Sequence, residues 1–255
     1  MTKRLCVSTA SLALASAMLA PAVAADLSIA PIYKAPPAPP VATWSGSYLG
    51  VSGGGAWSNA VVRNDLTGAD QTPRMDLSGG IIGLTSGFNI QRGPVVFGLE
   101  GDISATNKKG SAVEFPPNAV FHNNAVFHND VRERWLSTFR GRIGYAHDNW
   151  LLYATGGGAL ANVENTIGSV AVGEFSDKQW HWGWTAGAGV EVKLTQDWTA
   201  KVEYLYVGLQ DKSYFNPAPS LAFPSSQRLN LSDHIVRFGV NYKLPWNILD
   251  NFFKP

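Results

Sequence analysis

Charged residues in this chain recur two positions apart. Glu100 and Asp102, Arg140 and Arg142, and Lys201 and Glu203 are i, i+2 pairs, and Arg237 sits in a similar glycine-flanked apolar setting. On a strand, i and i+2 share a face. Acids and bases on facing strands can then do one of two things. They can neutralise one another as a salt-bridged polar core, or they can line a constriction that selects solutes by charge. Either way, buried charges must be paired and hydrogen-bonded. Glu100 and Asp102 are expected to face Arg140 and Arg142, and Glu203 to face Arg237, leaving three acids against four bases.

Other residue types give weaker signals. Ser137, Ser232 and His234 fall near one rim, but no acid–base partner follows from their spacing, so no catalytic role is expected. A tandem hexapeptide, Asn118-Ala-Val-Phe-His-Asn123 followed by Asn124-Ala-Val-Phe-His-Asn129, carries His122 and His128. Six-residue histidine spacing matches no standard metal motif. Gly53-Gly54-Gly55 and Gly156-Gly157-Gly158 complete neither nucleotide-binding glycine pattern. No metal and no cofactor are expected.

The elements that carry these charges show period-two alternation. In Gln179–Lys193 one parity reads Trp180, Trp182, Trp184, Ala186, Ala188, Val190 and Val192. The other reads Gln179, His181, Gly183, Thr185, Gly187, Gly189, Glu191 and Lys193. A soluble strand would hide three tryptophans in a core, and several such strands would need a very large one. An apolar face toward lipid and a glycine-rich, charged face toward a narrow interior is the simpler arrangement. Eight strands are predicted, at 46–57, 76–91, 95–105, 132–146, 149–161, 179–193, 197–208 and 233–244. Short turns at 91–94, 146–149 and 194–197 alternate with long polar connections at 58–75, 106–131, 162–178 and 209–232. The sequence therefore predicts an all-β fold, an eight-stranded antiparallel up-and-down transmembrane barrel with its short turns toward the periplasm. About eleven residues at ~3.3 Å, tilted ~45°, cover ~25 Å of membrane. On this assignment Trp57, Trp135, Trp180 and Tyr206 fall at the outer interface. Phe88, Tyr145, Trp150, Trp198 and Tyr242 fall at the periplasmic one.

Composition and targeting agree with that placement. Lys3 and Arg4 precede an apolar stretch, Leu5–Leu19, and an Ala22-Val23-Ala24 cleavage site, which predicts a secretory signal at 1–24. No later segment offers ~20 uninterrupted apolar residues for a helical span. The single cysteine, Cys6, lies within the signal, so the mature chain has neither disulfide nor thiol chemistry. Without Lys3 and Arg4 the chain carries 18 basic and 19 acidic residues, which gives no basic bias toward nucleic acid. A proline-rich linker occupies 25–43, the barrel 44–244 and a tail 245–255. The eighteen residues 25–42, extended at ~3.1 Å each, reach ~50 Å, a span relevant to the periplasm.

The ordered segments Trp44–Gly50, Gly83–Gln91, Phe97–Asp102, Arg140–Tyr145, Leu151–Gly157, Gly187–Glu191, Val202–Tyr206 and Arg237–Tyr242 resemble the outer-membrane immunogenic protein family of alphaproteobacteria. The resemblance spans essentially 44–244. It implies a non-enzymatic surface-exposed barrel of the outer membrane that supports envelope integrity and presents its loops. A narrow porin and an adhesin acting through 106–131 and 209–232 stand as alternatives. The implied partners are outer-membrane lipid and lipopolysaccharide, the barrel-assembly machinery, and peptidoglycan. Some relatives begin Ala-Asp and are coupled there to the cell wall, so Ala25-Asp26 becomes the expected attachment point, with a passive leader as the alternative. Family members usually end at the aromatic terminus of the last strand, whereas here eleven residues follow Leu244. Trp246, Leu249 and Phe253 suit an interfacial helix, or Asn251-Phe252-Phe253 a displaced terminal signal.

Overall fold

The computed structural model describes residues 43–64, 68, 70, 72–113, 128–169, 173–215 and 227–245. Ala25, Asp26, the signal, His122 and the tail from Trp246 lie outside these residues. Ten strands are present among them: β1 (Gly46–Asn64), β2 (Met75–Arg92), β3 (Val95–Thr106), β4 (Lys109–Val113), β5 (His128–His147), β6 (Trp150–Ser169), β7 (Gly173–Lys193), β8 (Trp198–Leu209), β9 (Lys212–Tyr214) and β10 (Gln227–Lys243). β1 pairs antiparallel with both β2 and β10, which closes the ring and removes the free edges. The short strand β4 prolongs the line of β3 between β2 and β5, and β9 prolongs β8 against β10. The ring therefore has eight staves, two of them interrupted.

Tight connections join the staves at one end. Two residues link β2 to β3 and two link β5 to β6, with Gly93 at φ +58° and Asp148 at φ +51°. Both lie in the left-handed region that two-residue hairpins require. At the β7–β8 turn, Trp198 N–H donates to Thr195 Oγ1 at 3.0 Å. In an outer-membrane barrel this end faces the periplasm.

At the other end the staves run farther than expected. β1 continues to Asn64 rather than 57, β6 to Ser169 rather than 161, β7 starts at Gly173 rather than 179, and β10 at Gln227 rather than 233. The reason is a change of pattern. In the membrane belt the outward parity is apolar: Val51, Ile82, Leu84, Leu99, Phe139, Leu152 and Phe238 are all exposed. Farther out the inward parity becomes apolar instead. Ala60, Val62, Leu77, Val131, Val163, Ile167, Leu229 and Leu231 pack there as one buried cluster. The outer third of the barrel is therefore built like a soluble barrel, with a greasy interior and a polar wall. Segments scanned for outward apolar residues read as loops there, although the period of two is unbroken.

Candidate functional site

The belt at mid-barrel holds the expected charges and one more. Glu100 pairs in register with Arg140, and Glu203 with Arg237. Arg140, with no exposed surface, hydrogen-bonds Glu100 and Asp102, the latter at 3.0 Å, and its Nη1 lies 3.1 Å from Glu203. Arg237 Nη2 lies 2.7 Å from Glu203 and 3.1 Å from Asp102. Lys201 donates to Glu100 at 2.8 Å. Each acid is thus shared between bases on different staves, and the belt ties the ring together across its diameter.

Asp102 meets Arg140 as expected but not Arg142, and it also accepts from Thr138 at 2.6 Å and from Ser104 at 3.5 Å. Arg142 turns toward the periplasmic end, where Nη2 lies 2.7 Å from Glu191. Glu191 also accepts from Asn241 at 2.8 Å and from Thr199. With Glu191 included, four acids face four bases, so the imbalance expected from the sequence disappears. The parity was legible, since Glu191 shares a face with Gly187 and Gly189.

Two tyrosines complete this layer. Tyr48 donates to Glu100 at 2.7 Å and accepts from Arg142 at 3.1 Å. Tyr153 donates to Glu203 at 3.0 Å, and the Arg142 guanidinium sits 4.0 Å above its ring. The lumen glycines mostly make room for these rings and for close strands. A Cβ on Gly87 would lie 2.3 Å from the Tyr48 ring, and one on Gly189 2.5 Å from the Tyr153 hydroxyl. Gly157 and Gly187 face backbone carbonyls instead. Gly98, opposite Arg142, and Gly239, opposite Lys201, do face a basic side chain.

Two further polar groups lie inside, the first missed in the sequence and the second given by its parity. Lys108, placed in a loop, falls between β3 and β4 and points inward, 2.8 Å from Glu133 and hydrogen-bonded to Asp233, all three buried. His181, flanked by outward tryptophans, also points inward. Its Nδ1 lies 2.9 Å from the Gln210 carbonyl and must donate, so Nε2 accepts from the Tyr214 hydroxyl at 2.7 Å. At the opposite end Trp44 is buried beneath the barrel with Val96, Leu151 and Tyr153, and the Lys193 ammonium lies 4.5 Å from its ring centroid.

On the outer surface, Trp57, Trp135 and Trp180 are exposed and Tyr206 half-buried, on the outward parity toward one end. Tyr145, Trp150 and Trp198 are exposed and Tyr242 half-buried toward the other, with the Trp198 and Tyr242 rings 5.0 Å apart. The rim residues fall in different settings. Ser137 Oγ donates to the Asp102 carbonyl at 2.8 Å. Ser232 and His234 face outward on β10, with His234 stacked on Trp57 and hydrogen-bonded to Tyr204. His128 is exposed at the start of β5, and no metal-holding cluster of His, Cys, Asp or Glu occurs among the described residues.

A closed antiparallel ring with an apolar outward belt, aromatic residues toward both ends and an ion-paired interior defines a small transmembrane β-barrel of the bacterial outer membrane. The chain belongs to the outer membrane protein beta-barrel domain family, which matches residues 10–243. It is 29% identical to the 31 kDa outer-membrane immunogenic protein of Brucella melitensis, over 87% of this chain and 93% of that one. It is 28% identical to the 22 kDa outer membrane protein of Rhizobium leguminosarum bv. viciae, over 70% of each. Among solved structures it superposes on the outer membrane protease OmpT of Escherichia coli with a TM-score of 0.49 at 10% identity, over 78% of this chain and 96% of that one.

Proposed function

We propose that the protein is a non-enzymatic, non-conducting structural element of the outer membrane, joined to the cell wall through its mature N-terminus. One observation carries the non-conducting reading: the interior is occupied at every described level. Trp44 lies under the periplasmic mouth, the four-acid, four-base belt fills the middle, and the apolar cluster fills the outer third. Eight strands leave a bore about wide enough for side chains alone, and packing on this scale supports a lumen closed to solutes.

The test is conductance of the refolded protein in planar bilayers. The expected result is a silent bilayer for the native chain. Reproducible steps whose size changes in Arg140→Ala would replace this reading with a narrow porin filtered by the charged belt.

The tether reading rests on Ala25-Asp26 and on the reach of the proline-rich segment behind it. Digested sacculi should yield a muropeptide bonded to the Ala25 α-amine. Sacculi carrying none would make the segment a passive leader.

A further inference from the structure

Just beyond the outer aromatic residues, the wall formed by β4 to β7 turns a row of charges outward. Lys109 is in register with Arg132, Arg132 with Glu164, and Glu164 with Lys178. The register slips between Glu133 and Trp135, and this β-bulge presents two consecutive side chains outward, Arg134 and Trp135. Four cations therefore stand beside a single carboxylate, Glu164, which pairs with two of them. Glu164 accepts from Arg134 at 2.9 Å, and Lys178 Nζ lies 3.5 Å from it. The Arg134 hydrogen bond holds the Glu164 carboxyl below its ordinary range, so this acid keeps its charge at neutral pH. Lys109 and Arg132 are exposed and have no ion-pair partner among the described residues. The outward acids Asp130 and Glu174 lie farther from the membrane.

Height decides what this row meets. Trp135, Asn162 and Trp180 are in register immediately to the membrane side. Two residues along a strand span ~7 Å, so the basic row lies within the headgroup layer that begins at an aromatic belt. Neighbouring strands lie ~4.8 Å apart, so the four staves spread the cations over ~14 Å, wide enough to engage more than one phosphate. Arginine suits that role through its bidentate fork, and the bulge adds a second arginine beside the first.

We propose that Lys109, Arg132, Arg134 and Lys178 form a site for the phosphates of a phosphorylated glycolipid in the outer leaflet. The proposal rests on the outer-membrane placement and not on whether the lumen conducts, so the two readings fail separately.

The experiment is lipid retention by the folded protein in detergent micelles, read by native mass spectrometry. The probes are diphosphoryl lipid A and the same lipid with both phosphates removed. Heat-dependent gel mobility confirms that each variant is folded. The native chain should retain the diphosphoryl form about tenfold better. Arg132→Gln combined with Arg134→Gln should erase that preference, whereas Glu164→Gln should strengthen it and Arg63→Gln, on β1, should leave it unchanged. Equal retention of both lipids, or an unaltered preference in the folded double variant, overturns the site. Displacement of the lipid by millimolar inorganic phosphate would make it a general anion site and overturn the assignment to a lipid.

Discussion

Glu191 is the residue on which the charge balance of the interior turns. Without it Arg142 keeps only Glu100, at 3.7 Å, as an acidic neighbour. A buried base that loses its main partner carries an uncompensated charge, which costs several times what an exposed pair is worth. Glu191→Gln keeps the shape and removes only the charge. It should lower unfolding stability by about 3 kcal/mol in urea titrations of the protein folded in lipid vesicles. Glu164→Gln, at the outer wall where Arg134 is half-exposed, should cost less than about 1 kcal/mol. Equal losses would mean that water reaches the interior belt and screens it. Tyr48 matters at the same scale: its hydroxyl links Glu100 to Arg142, and the ring fits because position 87 has no side chain.

Each long stave carries two opposite hydrophobic phases. On β6, Leu152 and Ala154 face out through the membrane belt, while Ala161, Val163 and Ile167 face in beyond it. The geometry of the strand never changes; only the solvent outside the wall does, from lipid to water. The membrane-spanning parts were legible in the sequence because tryptophans, glycines and charges separate cleanly by parity there. The register was legible too where charge marked it, as at Glu100 with Arg140 and Glu203 with Arg237. The outer extensions were not, because their alternation resembles that of any half-buried strand and their connections are polar. Lys108 was hidden for the same reason, one of two adjacent lysines in a stretch read as loop. This two-phase construction predicts position-specific sensitivity. Val163→Asp buries an unpaired carboxylate in the outer cluster, and it should open the outer third to limited proteolysis while leaving the membrane belt folded. Asn162→Asp, one residue away on the outward face, should resist protease as the native chain does. Matching digestion patterns for the two variants would mean that the outer cluster does not hold the outer third together.

For the molecule as a whole, the three interior levels act in series, and that decides what any single truncation can reveal. A pore conducts only if every constriction is open at once. Trp44→Ala removes the side chain under the periplasmic mouth, but the ion-paired belt and the outer apolar cluster remain above it. Arg140→Ala removes a side chain with no exposed surface from the belt, but leaves that apolar cluster intact. If the levels seal independently, each variant alone stays silent in planar bilayers, and so does the double variant, because water does not readily enter a cavity lined by Val163, Leu229 and Leu231. Conductance should appear only when the outer cluster is also breached, for instance by Leu229→Ser together with Leu231→Ser on the background of the other two. Steps from Trp44→Ala alone would show that the periplasmic mouth is the only barrier. The charged belt would then have to be read as a wet filter rather than as a brace between the staves.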